Sequence, residues 1–136
     1  MNIYLDIDGV LLADRATPAH YADEFLQAVL TGYPDSTYWL TTHAWNGENV
    51  ISQSLKPYLA ADTQALLGQV KVAEWDNDKT DGIDFSQPFL WFDDDLFDGE
   101  RKALEEHGAL GSQVRIDLAG NPRQLEQVTQ QLFAQA

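Results

Sequence analysis

The chain contains no cysteine, so neither a disulfide framework nor a thiolate metal site can contribute to its stability or chemistry. Basic residues are scarce: 8 lysines and arginines stand against 22 aspartates and glutamates, which gives a formal net charge of −14. Such a field repels polyanions, so we expect no non-specific binding of nucleic acid. It does not exclude a small phosphorylated ligand, provided that a local cation or a metal reverses the sign of the charge at the site.

Long apolar runs are absent as well. No segment approaches the roughly 18 consecutive apolar residues that indicate a membrane span, and residues 1–12 are too short and too acidic for a signal peptide. The lack of cysteine is compatible with a reducing compartment. We therefore expect a single cytoplasmic domain over residues 1–136 with no membrane contact, in which 44% hydrophobic residues build the core.

Short apolar or β-branched segments alternate with helical patterns along the chain. Strands are expected in residues 3–7, 36–42, 69–75, 87–93 and 112–117. Helices are expected in residues 18–32, with Thr17 as N-cap and Pro18 in the first turn, and in residues 46–57, 96–108 and 121–135. This alternation predicts parallel βαβ units and hence a three-layer α/β fold.

Acids and hydroxyls follow three of the predicted strands at their carboxyl ends. They are Asp6 and Asp8 after the first strand, Thr41 and Thr42 after the second, Asp93, Asp94 and Asp95 after the fourth, and Lys79 in the loop before the fourth. Ligands of open parallel sheets bind outside the carboxyl ends of the strands, so we expect these side chains to share one crevice.

Such a cluster has a definite chemical use. Clustered carboxylates repel one another unless a cation lies between them, and Mg²⁺ is bound by one or two carboxylates together with water and substrate phosphate. One carboxylate could then attack phosphorus and form an aspartyl-phosphate. A second acid two residues further on could protonate the leaving alkoxide and later deprotonate the attacking water.

The stretches LDIDGVL, YWLTT and FLWFDDD, with Lys79 between the last two, resemble the four motifs of the haloacid dehalogenase (HAD) superfamily in order and spacing. The family pattern is an Asp-x-Asp at the first strand, Ser or Thr after the second, a Lys or Arg, and a final pair of acids. The resemblance implies a Rossmann-like core with a parallel five-stranded sheet in the order 5-4-1-2-3. It also implies a Mg²⁺-dependent phosphohydrolase that acts on a phosphate monoester through an aspartyl-phosphate.

By that resemblance, Asp6 is expected to be the nucleophile and a metal ligand. Asp8 is expected to be the general acid and base, with its backbone carbonyl on Mg²⁺, and its presence indicates phosphoryl transfer rather than dehalogenation. Asp93 and Asp94 are the preferred remaining metal ligands. Asp98 stays open as an alternative because the last motif also occurs with a longer spacing, and Asp95 stays open as a further acid of the same run.

The hydroxyl and the cation of the site each have competitors. Thr41 is preferred to Thr42 because it directly follows the apolar strand. Lys79 is preferred to Lys71, which falls inside a predicted strand, and to Lys56, which falls at a predicted helix end.

The intervals between the motifs have no room for a large cap domain, so the resemblance implies a capless, open site. Such a site is expected to take a phosphorylated small molecule or a larger phosphorylated substrate, with closure by a partner or by a second copy in a homodimer. Two alternatives remain: a HAD fold that binds or regulates without turnover, and a receiver-like phospho-acceptor module. The second is disfavoured because no aspartate ends the third strand.

Aromatic residues and histidines have two interpretations. Trp39 and Trp91 lie inside predicted strands and are expected in the core, and His107 before Gly108 fits a helix C-terminus. His43 and Trp45 follow the second strand, where a substrate group could rest, although core packing is the preferred explanation of Trp45.

Overall fold

The computed structural model describes residues 1–14 and 16–133, which form an α/β fold. The strands are β1 (Asn2–Leu5), β2 (Leu12–Asp14), β3 (Thr17–Pro18), β4 (Thr37–Trp39), β5 (Lys71–Val72), β6 (Phe89–Asp93) and β7 (Gln113–Arg115). The α-helices are α1 (Ala22–Gly32), α2 (Ile51–Ser54), α3 (Ala61–Leu66), α4 (Asp98–Glu106) and α5 (Gln124–Val128). Short 3₁₀ turns lie at Thr42–Ala44, Lys56–Tyr58, Leu67–Gln69, Lys79–Gly82 and Leu110–Ser112, and α5 continues as a π-helix over Thr129–Phe133.

Five of the strands form one parallel sheet in the order β5-β4-β1-β6-β7. As numbered, this order is not the predicted 5-4-1-2-3, because the prediction omitted the two strands β2 and β3, which form a separate hairpin. When the hairpin is left out of the count, each sheet strand has the neighbours that were expected. β1 is therefore the central strand, and its carboxyl end has a neighbour on each side.

Helices cover both faces of the sheet. On one face, Ile3 and Leu5 of β1 and Phe92 of β6 pack in a core with α1 and α5. On the other face, Tyr4 and Trp91 pack in a second cluster with α4. The alternation of side chains along each strand explains this division, since successive residues point to opposite faces. Trp91 is fully buried, as expected for a tryptophan inside a central strand.

The first helix begins later than the sequence indicates. Thr17 and Pro18 do not cap and start it; they pair antiparallel with residues of β2. Proline is tolerated in such an edge strand because its missing amide faces no partner strand. Tyr21 then adopts a left-handed backbone with φ of 73°, and α1 starts at Ala22.

Two other helices differ from expectation in their extent. The segment 46–57 is helical only over α2 and the following 3₁₀ turn. The terminal helix begins at Gln124 rather than at Asn121, and residues 134 and 135 of its predicted range lie outside the described residues.

The intervals between the motif strands are short in the structure as well. Between β1 and β4 the described residues form β2, β3 and α1, and between β4 and β6 they form α2, α3, β5 and short turns, with no separate cap domain in either. Across the described part of the chain, no helix has both the length and the apolar character needed to cross a bilayer.

Candidate active site

The carboxyl ends of β1, β4 and β6 meet at an acidic cleft of about 280 Å³. The backbone amide of Asp6 donates to the carbonyl of Phe92 at 3.0 Å, and that of Leu40 donates to the carbonyl of Leu5 at 2.8 Å. These bonds extend the ladder to the strand ends and bring their side chains together. The charged residues lining the cleft are Asp6, Asp8, Asp93, Asp94, Asp95, Glu100 and Lys79.

Lys79 joins the ends of the two central strands. Its Nζ lies 3.0 Å from Asp6 Oδ2 and 2.7 Å from Asp93 Oδ2. Both carboxylates are buried, and only 12% of the lysine side chain is exposed. Burial by itself lowers the pKa of the Lys79 ammonium, but the charges of Asp6 and Asp93 more than offset that effect, so the pKa lies above its ordinary value. Lys79 is therefore a fixed cation between two acids, and not a solvated partner of Asp76 or Asp78.

One lysine does not neutralise the pair of acids. Burial, followed by the negative charge of Asp6, raises the pKa of the Asp93 carboxyl well above its ordinary value, although Lys79 acts in the opposite direction. In the protein alone, ionisation of both acids is therefore costly. A second cation at the cleft would relieve that cost.

The loop that carries Lys79 is fixed by two further carboxylates. Glu100 of α4 is buried, and it accepts hydrogen bonds from the amides of Lys79 at 3.0 Å and Phe97 at 3.1 Å. Asp81 accepts from the amides of Asn77 and Asp78, both at 3.1 Å. One carboxylate of the loop itself, Asp81, and one from α4, Glu100, thus bind its backbone donors, while the ammonium of Lys79 contacts the acids of the cleft.

Three carboxylates are placed so that they could hold a metal ion. One oxygen each of Asp6, Asp93 and Asp94 lies within 4.8 Å of the others. Oxygens on opposite sides of a Mg²⁺ ion are about 4.2 Å apart, twice the Mg–O distance, so small side-chain adjustments bring this set into range. Hard carboxylate oxygens suit Mg²⁺, and the residues present therefore fit such an ion.

Gly9 allows Asp94 to approach the first strand end. The backbone of Gly9 has φ of +77°, a left-handed conformation that glycine adopts without strain. A Cβ at this position would overlap the carboxyl group of Asp94. The glycine of the Asp-x-Asp-Gly stretch is thus required both by its own backbone and by the acid that packs on it.

Asp8 stands at the rim of the cleft beside a histidine that sequence reasoning mostly discounted. Its side chain is 52% exposed, and its Oδ2 lies 2.9 Å from Nε2 of His43. A carboxylate can only accept a hydrogen bond, so Nε2 is the donor in this contact. His43 therefore fixes one oxygen of Asp8, and no hydrogen bond reaches the other oxygen from the described residues.

The two threonines after β4 have different positions. Thr41, the preferred candidate, is fully buried, and its hydroxyl accepts from the amide of His43 at 3.2 Å, which caps the 3₁₀ turn Thr42–Ala44. Thr42 is exposed and lines the cleft. Thr41 is preferred in the sequence because it directly follows the strand. In the structure that position caps the next turn, and the following residue, Thr42, is the one that lines the cleft.

The structure also locates the alternative candidates for the cation and for the metal ligands. Nζ of Lys71 donates to the carbonyl of Asp35 at 3.0 Å, and Lys56 is exposed beside a different pocket. Asp95 lines the cleft, and its amide donates to Asp93 Oδ1 at 3.1 Å. Asp98 is exposed at the start of α4 and is not among the described residues that line the cleft.

Glu100 is the residue that sequence reasoning missed. A glutamate at the third helical position is a known partner of a capping residue, usually Ser or Thr. Here Phe97 occupies the capping position. The sequence therefore carries no recognisable capping pattern, and the contact between Glu100 and the Lys79 loop crosses 21 residues.

The first prediction concerns the contact between Gly9 and Asp94. We expect Gly9→Ala to lower the free energy of unfolding by about 1–2 kcal/mol through its left-handed backbone and to displace Asp94. Gly47→Ala is the matched control, because Gly47 has φ of +84° and a Cβ added there would meet no heavy atom within 4 Å. Thermal unfolding with and without MgCl₂ should show stabilisation by Mg²⁺ in wild type and Gly47→Ala but not in Gly9→Ala. Equal stabilisation of both variants would contradict the role given to this contact.

The second prediction concerns the pH dependence of the metal-free protein. The pKa of Asp93 is about 8 in the folded protein, against 3.8 ordinarily, so the folded state binds more protons in this window. Stability from this group is therefore lost as pH rises from about 4 towards 8. Asp93→Asn lacks the titrating group, so urea unfolding in EDTA should show the variant gaining stability relative to wild type across that range. Parallel pH curves for the two proteins would show that Asp93 titrates normally.

Comparisons with known proteins leave the family of the chain open. Neither a scan against protein-family models nor searches of the curated proteins and of the solved structures give a match. The function of the cleft is therefore inferred from its own residues.

Proposed function

We propose that this chain is a capless phosphohydrolase of the HAD type, which hydrolyses a phosphate monoester with Mg²⁺ through an aspartyl-phosphate on Asp6. The observation that carries the proposal is the double contact of Lys79 with Asp6 and Asp93, at 3.0 and 2.7 Å, in a cleft that Asp8 and Thr42 also line. The order of these residues along the chain agrees with the resemblance to the HAD motifs.

Asp6 is the nucleophile in this proposal. Its Oδ1 accepts from the amide of Ile7 at 2.8 Å, and its Oδ2 contacts Lys79. These contacts hold the carboxylate in one orientation, which favours attack on a bound phosphoryl group. An oxygen of Asp6 forms a bond to phosphorus while the bond from phosphorus to the leaving oxygen breaks.

Asp8 moves the protons. It gives a proton to the leaving oxygen in the first step, and as a carboxylate it then takes a proton from the water that attacks phosphorus. The second step breaks the bond between Asp6 and phosphorus and releases inorganic phosphate. Its exposed position at the rim suits a group that must meet both the leaving group and water.

Lys79 and Thr42 bind the phosphoryl oxygens, the first through its charge and the second through its hydroxyl. Asp6, Asp93 and Asp94, with the backbone carbonyl of Asp8, would hold Mg²⁺. Once bound, that ion neutralises the acids and stabilises charge on the phosphoryl group.

The receiver-like alternative has no support in the fold. A receiver accepts its phosphoryl group on an aspartate after the third sheet strand, and β5 is followed here by Ala73, Glu74 and Trp75. We keep the phosphohydrolase as the single proposed function.

The third prediction tests the nucleophile. Asp6→Asn should lower kcat for 4-nitrophenyl phosphate by about 10³-fold or more, because an amide cannot form the covalent intermediate. Asp98→Asn makes the same chemical change at an acid outside the cleft and should retain wild-type turnover. Both are measured with Mg²⁺ and after EDTA. Turnover that survives in Asp6→Asn would refute the assignment.

The fourth prediction tests the proton transfer by Asp8. Asp8→Asn keeps the backbone carbonyl and the side-chain shape but cannot exchange a proton. We expect kcat/KM for an alkyl ester, glycerol phosphate, to fall about 10²-fold or more, and kcat/KM for 4-nitrophenyl phosphate to fall much less, since nitrophenolate leaves unprotonated. An equal loss of kcat/KM for both esters would show that another residue transfers the proton.

A further inference from the structure

A second pocket, of about 500 Å³, adjoins the acidic cleft and is larger than the cleft itself. Asp8 and Thr42 line both cavities. A group bonded to a phosphoryl unit at Asp6 therefore reaches this second pocket by passing the carboxylate that would protonate it. We propose that the pocket is the leaving-group subsite, and that it takes a neutral, hydroxyl-bearing group such as a sugar or polyol. This inference rests on the proposed function.

The position of Asp8 between the two cavities is fixed from the pocket side. His43, which lines the pocket, holds Asp8 Oδ2 at 2.9 Å. Oδ1 accepts no hydrogen bond from the described residues, and we assign it to the oxygen of the leaving group. The carbonyl of His43 in turn accepts from the amide of Val50 at 2.8 Å, which ties the start of α2 to the turn after β4. The pocket wall is thus anchored to the strand end that carries Thr42.

The polar groups of the pocket match hydroxyls. They are side chains that can both donate and accept hydrogen bonds without carrying a formal charge, namely Thr42, Gln53, Ser54 and Tyr58. Val50, which is 40% exposed, and the ring of Tyr58 add apolar surface. Alternating hydroxyl and C–H surface is what a sugar or polyol presents.

The charges of the pocket disfavour a second anionic group. Asp8 is the one acid, and neither lysine nor arginine occurs, among the described residues that line it. A second phosphate in this pocket would lie near Asp8 in a chain with a formal charge of −14, and the described part of the lining offers no lysine or arginine to balance it. The subsite therefore favours the monophosphate of a neutral molecule over a bisphosphate.

The test introduces a positive charge into this wall. Gln53→Lys places an ammonium at the pocket, whereas Ser52→Lys makes the same charge change at the preceding residue of α2, which lines a different pocket. Both are compared with wild type for kcat/KM on fructose 6-phosphate and fructose 1,6-bisphosphate with Mg²⁺.

We expect wild type to prefer the monophosphate by about tenfold or more and Gln53→Lys to reduce that preference about tenfold. Ser52→Lys should keep the wild-type preference within about twofold, since exposed charges further away are screened. Equal kcat/KM values of wild type for both esters would overturn the subsite. An equal change of the preference in the two lysine variants would overturn it as well.

A binding measurement separates this inference from the proposed function. Calorimetry with Asp6→Asn, alone and combined with Gln53→Lys, reports the affinity for the same two esters without turnover. Preferential binding of the monophosphate that Gln53→Lys removes, together with no turnover of either ester by wild type, would overturn the phosphohydrolase and support only the binding of a neutral, hydroxyl-bearing group in this pocket. Equal affinity of Asp6→Asn for both esters would overturn the subsite whatever the turnover.

Discussion

A buried lysine between two buried carboxylates is the contact on which the rest of the cleft depends. Asp6 and Asp93 end adjacent parallel strands, so the sheet itself forces their charges together, and Lys79 enters from a separate loop to lie between them. Removing Lys79 would leave two buried carboxylates without their cation, which costs far more than the contact contributes. One ammonium cannot balance the charges of two carboxylates and of Asp94 beside them. The cleft therefore has an excess of negative charge that a further cation would neutralise.

The surrounding structure positions both Lys79 and the third acid, Asp94. Glu100 binds the backbone of Lys79 from α4, so a helix on one face of the sheet positions a cation at its edge. Gly9 gives Asp94 the space to approach the end of β1. On the other side of Asp8, His43 and the short helix α2 form a wall that has no further acid among its described residues. One turn and one short helix thus form the wall of the larger pocket that adjoins the cleft.

The sequence allowed the sheet and the acids of the cleft to be predicted, because both follow from local patterns. An apolar run that ends in Asp6, Asp8 and Gly9 marks a strand end. The order of the strands came instead from the resemblance to the HAD motifs, and each sheet strand has the neighbours that it implied. The hairpin of β2 and β3 was missed because Thr17 before Pro18 fits a helix start equally well locally. The positions of Thr41 and Glu100 depend on contacts that form only in the folded chain, a capped turn and a bond across the sheet edge, and no spacing rule contains them.

The most direct test of the account is to trap the phosphoryl group on the protein. Asp8→Asn protein is mixed with 4-nitrophenyl phosphate and Mg²⁺, quenched, and treated with borohydride, which reduces an acyl phosphate to the alcohol but leaves free carboxylates intact. Mass spectrometry of the peptides then identifies the acceptor. We expect homoserine at position 6 and unmodified Asp93 and Asp94. Reduction at position 93 or 94, or release of nitrophenol with no reduced residue in the chain, would contradict it.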